Sequence, residues 1–375
     1  MSARPLRILF AAPAWSPSRA FGGPVVAAGE LVRRLVARAH QVDVLTTTIV
    51  DLHNRPAARS SLAVVDGATV HYLGTPVRYR WMGITPALPI ALARMRRPDV
   101  VHVFGFRDPV TTGTAAWCRV ARVPYVFEPL GMFQPRLRKV LLKRALDATL
   151  YRGVARGAAA VVVASERERD DVLASGISAE KVHVRGNGFP EPFQATDGDL
   201  RERLGIPAGA PLVLYVGRIA SGKGIEHLAE AARQITEAHV VIAGPDDRHG
   251  VSPDAARLHT LPMTEEPPHA LYPQADVFVL PSEGESFGMV AAEAAAAGTP
   301  VIVSDRCGIA EFFEEGEALV VPYEPEAVVG AIRRVLSDAA LRERLAQGGI
   351  EAARRTSWDR VADVQEEIYR KVTAT

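Results

Sequence analysis

A chain of 375 residues with 48% hydrophobic side chains has material for two domains of ordinary size. Its two cysteines, Cys118 and Cys307, fall in separate halves, which excludes a disulfide framework and a cysteine metal site and fits a reducing compartment. The net charge of +1 hides an asymmetry, with 27 basic against 13 acidic side chains over residues 1–190 and 17 against 30 over the remainder.

No apolar run reaches membrane-spanning length, and the one near Met1 is too short for a signal peptide, so a soluble, cytoplasmic chain is expected. Arg7 to Pro13 reads as a buried first strand. A loop follows with Gly22-Gly23, and a helix opens at Pro24, where proline is tolerated in the first turn. Glycines there let the backbone approach a ligand closely. Val42–Thr46, Thr69–Leu73, Asp99–Phe104, Pro124–Glu128 and Ala159–Ser165 continue as strands, mostly separated by helical runs, which predicts a parallel sheet. Residues 47–68 read as irregular. The run Arg136 to Arg156 has seven basic residues and one acid, Asp147, with leucines at helical spacing, as in basic amphipathic helices that lie on anionic membranes. Val182 to Gly188 closes this half with an Asn-Gly turn, and a proline-containing linker follows.

The second half restarts the pattern with PLVLYVG from Pro211. Gly217 to Gly224, GRIASGKG, fits G-x4-G-K but has Gly224 where a P-loop carries Ser or Thr, so the hydroxyl that holds Mg²⁺ is missing. Arg218 and Lys223 are the charged groups of this loop. Then come AHVVIAG, TLP and the strand DVFVL from Asp276. Asp246-Asp247 is not the D-x-D of metal-dependent transferases, and no HExxH or CxxC occurs, so no metal is expected. Pro281 to Glu293, PSEGESFGMVAAE, reads as strand end, tight loop and helix start. Backbone N–H groups of Ser286, Phe287, Gly288 and Met289 open that helix, a ready site for phosphate oxygens. Gly284 to Gly288 also matches the G-x-S-x-G nucleophile elbow, but all ten histidines precede Ser286, whereas the hydrolase base follows its serine. Glu285 in the loop and Glu293 about two turns into the helix can face opposite ends of one ligand, as a nucleotide-sugar would need. The last run, Trp358 to Val372, reads as an amphipathic helix.

Glu285 and Glu293 as E-x7-E, with Phe287-Gly288 between and Ala297-Gly298-Thr299-Pro300-Val301-Ile302 after, resemble the retaining, family-4-like glycosyltransferases of the GT-B fold. The resemblance covers nearly the whole chain. It implies an α/β architecture of two Rossmann-like β/α/β domains facing across a cleft, residues 1–188 for the acceptor and 199–355 for the nucleotide-sugar. A linker at 189–198 would join them, and a terminal helix at 356–375 would cross back to the first domain. It implies a hexosyltransferase-type enzyme that moves a sugar from a nucleotide diphosphate donor, taken as a UDP-sugar, to an acceptor hydroxyl without metal or further cofactor. Glu285 would meet the donor sugar, Glu293 the ribose, Arg218 and Lys223 the diphosphate, Gly22-Gly23 and Gly217 would approach it, and Met263 would lie by the base.

The family's histidine near the reacting sugar falls here on Leu130 or Glu128. Glu128 could serve an acceptor hydroxyl as general base or pair with Arg136 or Arg138, and His102 is the nearby polar group, catalytic or structural. A sugar or lipid-linked acceptor is expected, with peripheral membrane contact through 136–156 at the inner face of the cytoplasmic membrane. No nucleic-acid partner is expected. The arginine and alanine bias points to a bacterial source, and the family resemblance implies a surface glycan or glycoconjugate product. The rival functions are a GT-B sugar-nucleotide epimerase, separable by product analysis with donor alone, and a non-catalytic nucleotide-sugar-binding protein, which turnover would exclude.

Overall fold

The computed structural model describes residues 4–18, 22–51, 54–79, 81–133, 152–193, 200–246, 256–262 and 268–374. The chain divides into two compact units, residues 1–186 with 358–375, and residues 187–357. Each is an α/β unit around its own sheet.

The first unit holds β1 (Arg7–Ala11), β2 (Gln41–Thr47), β3 (Ser61–Val65), β4 (Ala68–Leu73), β5 (Val77–Tyr79), β6 (Met82–Ile84), β7 (Val100–Phe104), β8 (Tyr125–Glu128), β9 (Ala160–Val163) and β10 (Val182–Val184). Eight of these form one sheet in the order β10-β9-β8-β7-β1-β2-β4-β3, while β5 and β6 pair as a separate antiparallel hairpin. Every ladder in the large sheet is parallel except β3 with β4. All residues of β7, β8 and β9 are buried, which is why these strands read as unbroken apolar runs rather than alternating ones. β3 lies inside the stretch 47–68, read as irregular from the sequence. Its Leu62 and Val64 are 64% and 74% exposed, so this edge strand has no buried face whose alternation could mark it. The helix Trp358–Thr373 belongs to this unit and packs on the helix Gly23–Ala37 and on β7. Trp358, Val361, Ala362, Ile368, Tyr369 and Val372 form its buried side.

The second unit holds β11 (Leu212–Val216), β12 (His239–Ala243), β13 (Leu258–Leu261), β14 (Val277–Leu280), β15 (Val301–Ser304) and β16 (Leu319–Val321). They form an all-parallel sheet in the order β13-β12-β11-β14-β15-β16. The chain builds outward from β11 on one side and then from β14 on the other. Open α/β sheets bind ligands where the order reverses, beyond the carboxyl ends of the two strands that flank the switch. In this unit those strands are β11 and β14, and in the first unit β1 and β7.

Candidate active site

Both motif loops of the second unit leave that switch point. Gly217 to Gly224 follows β11, and Pro281 to Gly288 follows β14. The first loop is tied to the end of β12 by the Gly217 N–H to the Ala243 carbonyl (2.9 Å) and the Ile219 N–H to the Pro245 carbonyl (2.9 Å). The two loops also meet. The Glu283 N–H donates to the Gly222 carbonyl at 2.9 Å. Gly224 has φ +69°, and a Cβ placed there would lie 1.9 Å from the Pro281 carbonyl oxygen. That contact is the physical reason the chain has glycine, not the P-loop's Ser or Thr, after Lys223.

Lys223 Nζ bonds Glu285 Oε1 at 2.5 Å, with both side chains 21% exposed. The Ser282 hydroxyl donates to the same oxygen at 3.2 Å. Two donors thus fix a carboxylate that still reaches solvent. Its backbone is fixed too, because the Glu285 carbonyl accepts from the Gly308 N–H (3.1 Å) and the Phe287 carbonyl from the Ile309 N–H (2.8 Å). Phe287 is buried edge-on against Phe189 and Phe312, and Met289 is buried as well. These two residues offer a ligand their N–H groups, not their side chains. Gly288 caps the helix Met289–Ala296, and among the described residues no acceptor meets the N–H groups of Ser286, Phe287, Gly288 or Met289. Arg218, at the head of the first loop, is exposed.

On the same helix Glu293 accepts a 2.6 Å hydrogen bond from the Tyr272 hydroxyl. Burial holds its carboxyl above the ordinary carboxylate range, and the Tyr272 bond draws it partly back. Sequence reasoning missed Tyr272, whose only signal was an aromatic residue ahead of the strand DVFVL. Met263 lies outside the described residues.

The arrangement is therefore one solvated carboxylate tied to a lysine, a row of N–H groups, and a second carboxylate one helical stretch away. Two family descriptions match the two halves of the chain, "Glycosyl transferase 4-like domain" over residues 22–188 and "Glycosyl transferases group 1" over residues 197–352. The chain belongs to the family-4-like glycosyltransferases of the GT-B fold.

Among relatives, an uncharacterized glycosyltransferase of Methanocaldococcus jannaschii is 27% identical over 94% of this chain and 95% of its own. The D-inositol 3-phosphate glycosyltransferase of Xylanimonas cellulosilytica is 34% identical, but the match spans 56% of this chain and only 57% of that relative. The solved structure of Anabaena HepE in complex with UDP-glucose superposes with a TM-score of 0.74 at 19% identity, over 99% of this chain and 100% of that one, which shows the shared fold.

The first unit of this glycosyltransferase carries the remaining expected residues. Gly22 has φ +53° and nothing near an added Cβ, so backbone conformation rather than crowding calls for glycine there. The helix opens one residue earlier than expected, at Gly23, with no side-chain cap on its first N–H groups. His102 and Glu128 do come together, but in the interior. His102 sits mid-strand in β7 and is fully buried, with Glu128 1% exposed at the end of β8. Glu128 Oε2 meets His102 Nε2 at 3.1 Å, and Glu128 Oε1 accepts from Arg185 at 2.9 Å. His102 Nδ1 meets the Tyr369 hydroxyl at 2.5 Å, and Arg185 also donates to Gln365 at 2.7 Å.

Arg136 and Arg138, the partners expected for Glu128, lie outside the described residues. Both oxygens of Glu128 are engaged by buried groups of its own unit. Burial pushes its carboxyl up, but Arg185 and His102 outweigh that and hold it below the usual range. Burial also lowers His102, which favours the neutral ring. Burial and these bonds fit the structural alternative for both residues. At the place of the missing histidine, Leu130 has φ +56° and precedes Gly131 at φ +72°. The Gly131 N–H donates to buried Glu168, which holds this strained turn at the carboxyl end of β8. Burial pushes Glu168 up to about 7.

Proposed function

We propose that the enzyme transfers a sugar from a nucleotide diphosphate donor, a UDP-sugar by preference, to an acceptor hydroxyl with retention and without a divalent cation. The observation that carries this reading is the Lys223–Glu285 pair beside the open N–H groups of Ser286 to Met289, at the carboxyl edge of the switch point. A helix N-terminus takes phosphate oxygens. With Arg218 and Lys223 it would face a leaving diphosphate whose charge grows as the sugar bond breaks, so the attraction is largest in the transition state. Lys223 then has two partners, the diphosphate and Glu285, and the pair orders the carboxylate that meets the sugar. Glu293 takes the ribose hydroxyls. Gly217 lets backbone approach the ligand. Retention rests on the family resemblance, with nucleophile and leaving group on one face of the sugar. The acceptor is a sugar or lipid-linked hydroxyl of a bacterial surface glycan, met at the cytoplasmic membrane face.

The test is a titration of wild type and two variants with UDP, GDP and ADP, followed by turnover on the matching nucleotide-sugar. Glu293→Ala is expected to weaken the nucleotide by about tenfold or more, the scale of a charge-assisted hydrogen bond. Glu285→Ala is expected to leave nucleotide affinity nearly unchanged and to lower kcat. Equal loss of affinity in both variants would overturn the division of labour, and activity that EDTA abolishes and Mg²⁺ restores would overturn the metal-free mechanism.

A further inference from the structure

Glu293 is a polar group most of the way into a helix whose other faces are packed alanine. Ala291, Ala292, Ala294, Ala295 and Ala296 are all buried. Among the described residues its carboxylate has one hydrogen bond, the 2.6 Å contact from the Tyr272 hydroxyl to Oε2, which leaves Oε1 for another donor. Tyr272 itself has no freedom to move. It is fully buried, its ring stands edge-on to Phe278 at 5.6 Å, and its carbonyl accepts from the Thr299 hydroxyl at 2.7 Å. Phe278 and Thr299 belong to or adjoin β14 and β15, so the phenol is anchored to the sheet while Glu293 rides on the helix above it.

We propose that Tyr272 is a positioning residue for the donor, its hydroxyl aiming the Glu293 carboxylate so that Oε1 faces the ribose hydroxyls. This rests on the assignment of Glu293 to the ribose made above. A buried carboxylate with no donor would turn toward whatever polar group it could reach, or take up a proton. Besides burial, the Tyr272 hydroxyl is the group that shifts Glu293, and it shifts it toward the ionised form. An ionised carboxylate accepts from two hydroxyls at once, whereas a protonated one gives up an acceptor position. Loss of the tyrosine hydroxyl therefore matters most at low pH and fades as pH rises.

The experiment is calorimetric titration of the full chain with UDP, GDP and ADP between pH 6 and pH 8.5. It compares wild type, Tyr272→Phe, Glu293→Gln and the double variant. Tyr272→Phe keeps the ring and its packing. It is expected to bind the preferred nucleotide more weakly than wild type throughout, by about tenfold at the acid end of the range and by less as pH rises. Taking the ratio removes the titration of the diphosphate itself. In the Glu293→Gln background the same change is expected to have no pH-dependent effect, because the coupling is between these two side chains.

A Tyr272→Phe profile that superimposes on wild type, or that is displaced equally at every pH, would overturn the proposal, since the second result is what a purely structural tyrosine predicts. Wild-type affinity in Glu293→Gln would instead remove the ribose assignment on which it rests, and no binding of any of the three nucleotides to wild type would overturn both.

Discussion

At the scale of single residues, the two carboxylates proposed to meet the donor and the buried carboxylate of the first unit are separated by their surroundings. Glu285 keeps solvent access and shares a lysine and a serine hydroxyl. Glu293 has one phenol. Glu128 is sealed between an arginine and a histidine. Removing one member of a buried ion pair leaves the other charge uncompensated, which costs about 3–5 kcal/mol. Arg185→Leu is therefore expected to lose about that much stability in urea denaturation at neutral pH. Wild type should also weaken in acid. The unfolded chain protonates a histidine at about pH 6.5, whereas burial favours the neutral ring in folded His102, so stability falls as pH drops below that value. Glu128, held below its ordinary value, adds a second loss as pH falls below about 4.3, the unfolded carboxylate value. A urea midpoint that stays flat from pH 7 to pH 5 would contradict the assignment of His102 to the interior.

At the scale of elements, the proposed donor site depends on two loops being close enough to share a hydrogen bond and a salt bridge. Gly224 is where they touch. Alanine there would need both an unfavourable left-handed backbone and 1.9 Å of impossible separation from the Pro281 oxygen. Gly224→Ala is expected to lower stability by more than about 1–2 kcal/mol, the left-handed cost alone. It should also weaken nucleotide binding, because separating the loops pulls Lys223 from Glu285. Thermal unfolding with and without nucleotide checks both, and a variant with wild-type melting and binding would mean the loops do not rest on each other as described.

At the scale of the whole molecule, the entire helix Trp358–Thr373 belongs to the first unit, though it lies far from that unit's other residues in the sequence. Its Tyr369 and Gln365 complete the buried network around His102 and Arg185. Ending the chain at Ser357 is expected to expose that network and lower the melting of the first unit sharply, while residues 187–357, with a complete sheet of their own, keep a cooperative transition. Native-like melting of both units in the shortened chain would contradict this. The charge asymmetry also belongs at this scale. No described helix is long and apolar enough to cross a membrane, and most of the basic run 136–156 lies outside the described residues. Its seven cations against one acid still favour an anionic surface, each contributing about 1 kcal/mol near the membrane. Liposome co-sedimentation is expected to rise with anionic lipid and fall with salt, and binding indifferent to both would move the acceptor into solution.

What the sequence by itself determined were features that live in consecutive residues. Buried parallel strands announce themselves as apolar runs, glycine-rich turns mark the carboxyl ends of β1, β11 and β14, and E-x7-E across a helix start puts one carboxylate in the loop and the other in the helix that follows. Relations between distant residues were decided only by the tertiary structure. Arg185 and Glu128 are 57 positions apart and Tyr369 is 267 from His102, so no local pattern could say that these groups pair inside the first unit. The exposed edge strand β3 left no alternation to read. Tyr272 came to Glu293 because β14 and β15 lie side by side beneath the helix, and a hydrogen bond of that kind has no trace in spacing. Chemistry written along the chain is legible from it, and chemistry made by folding waits for the fold.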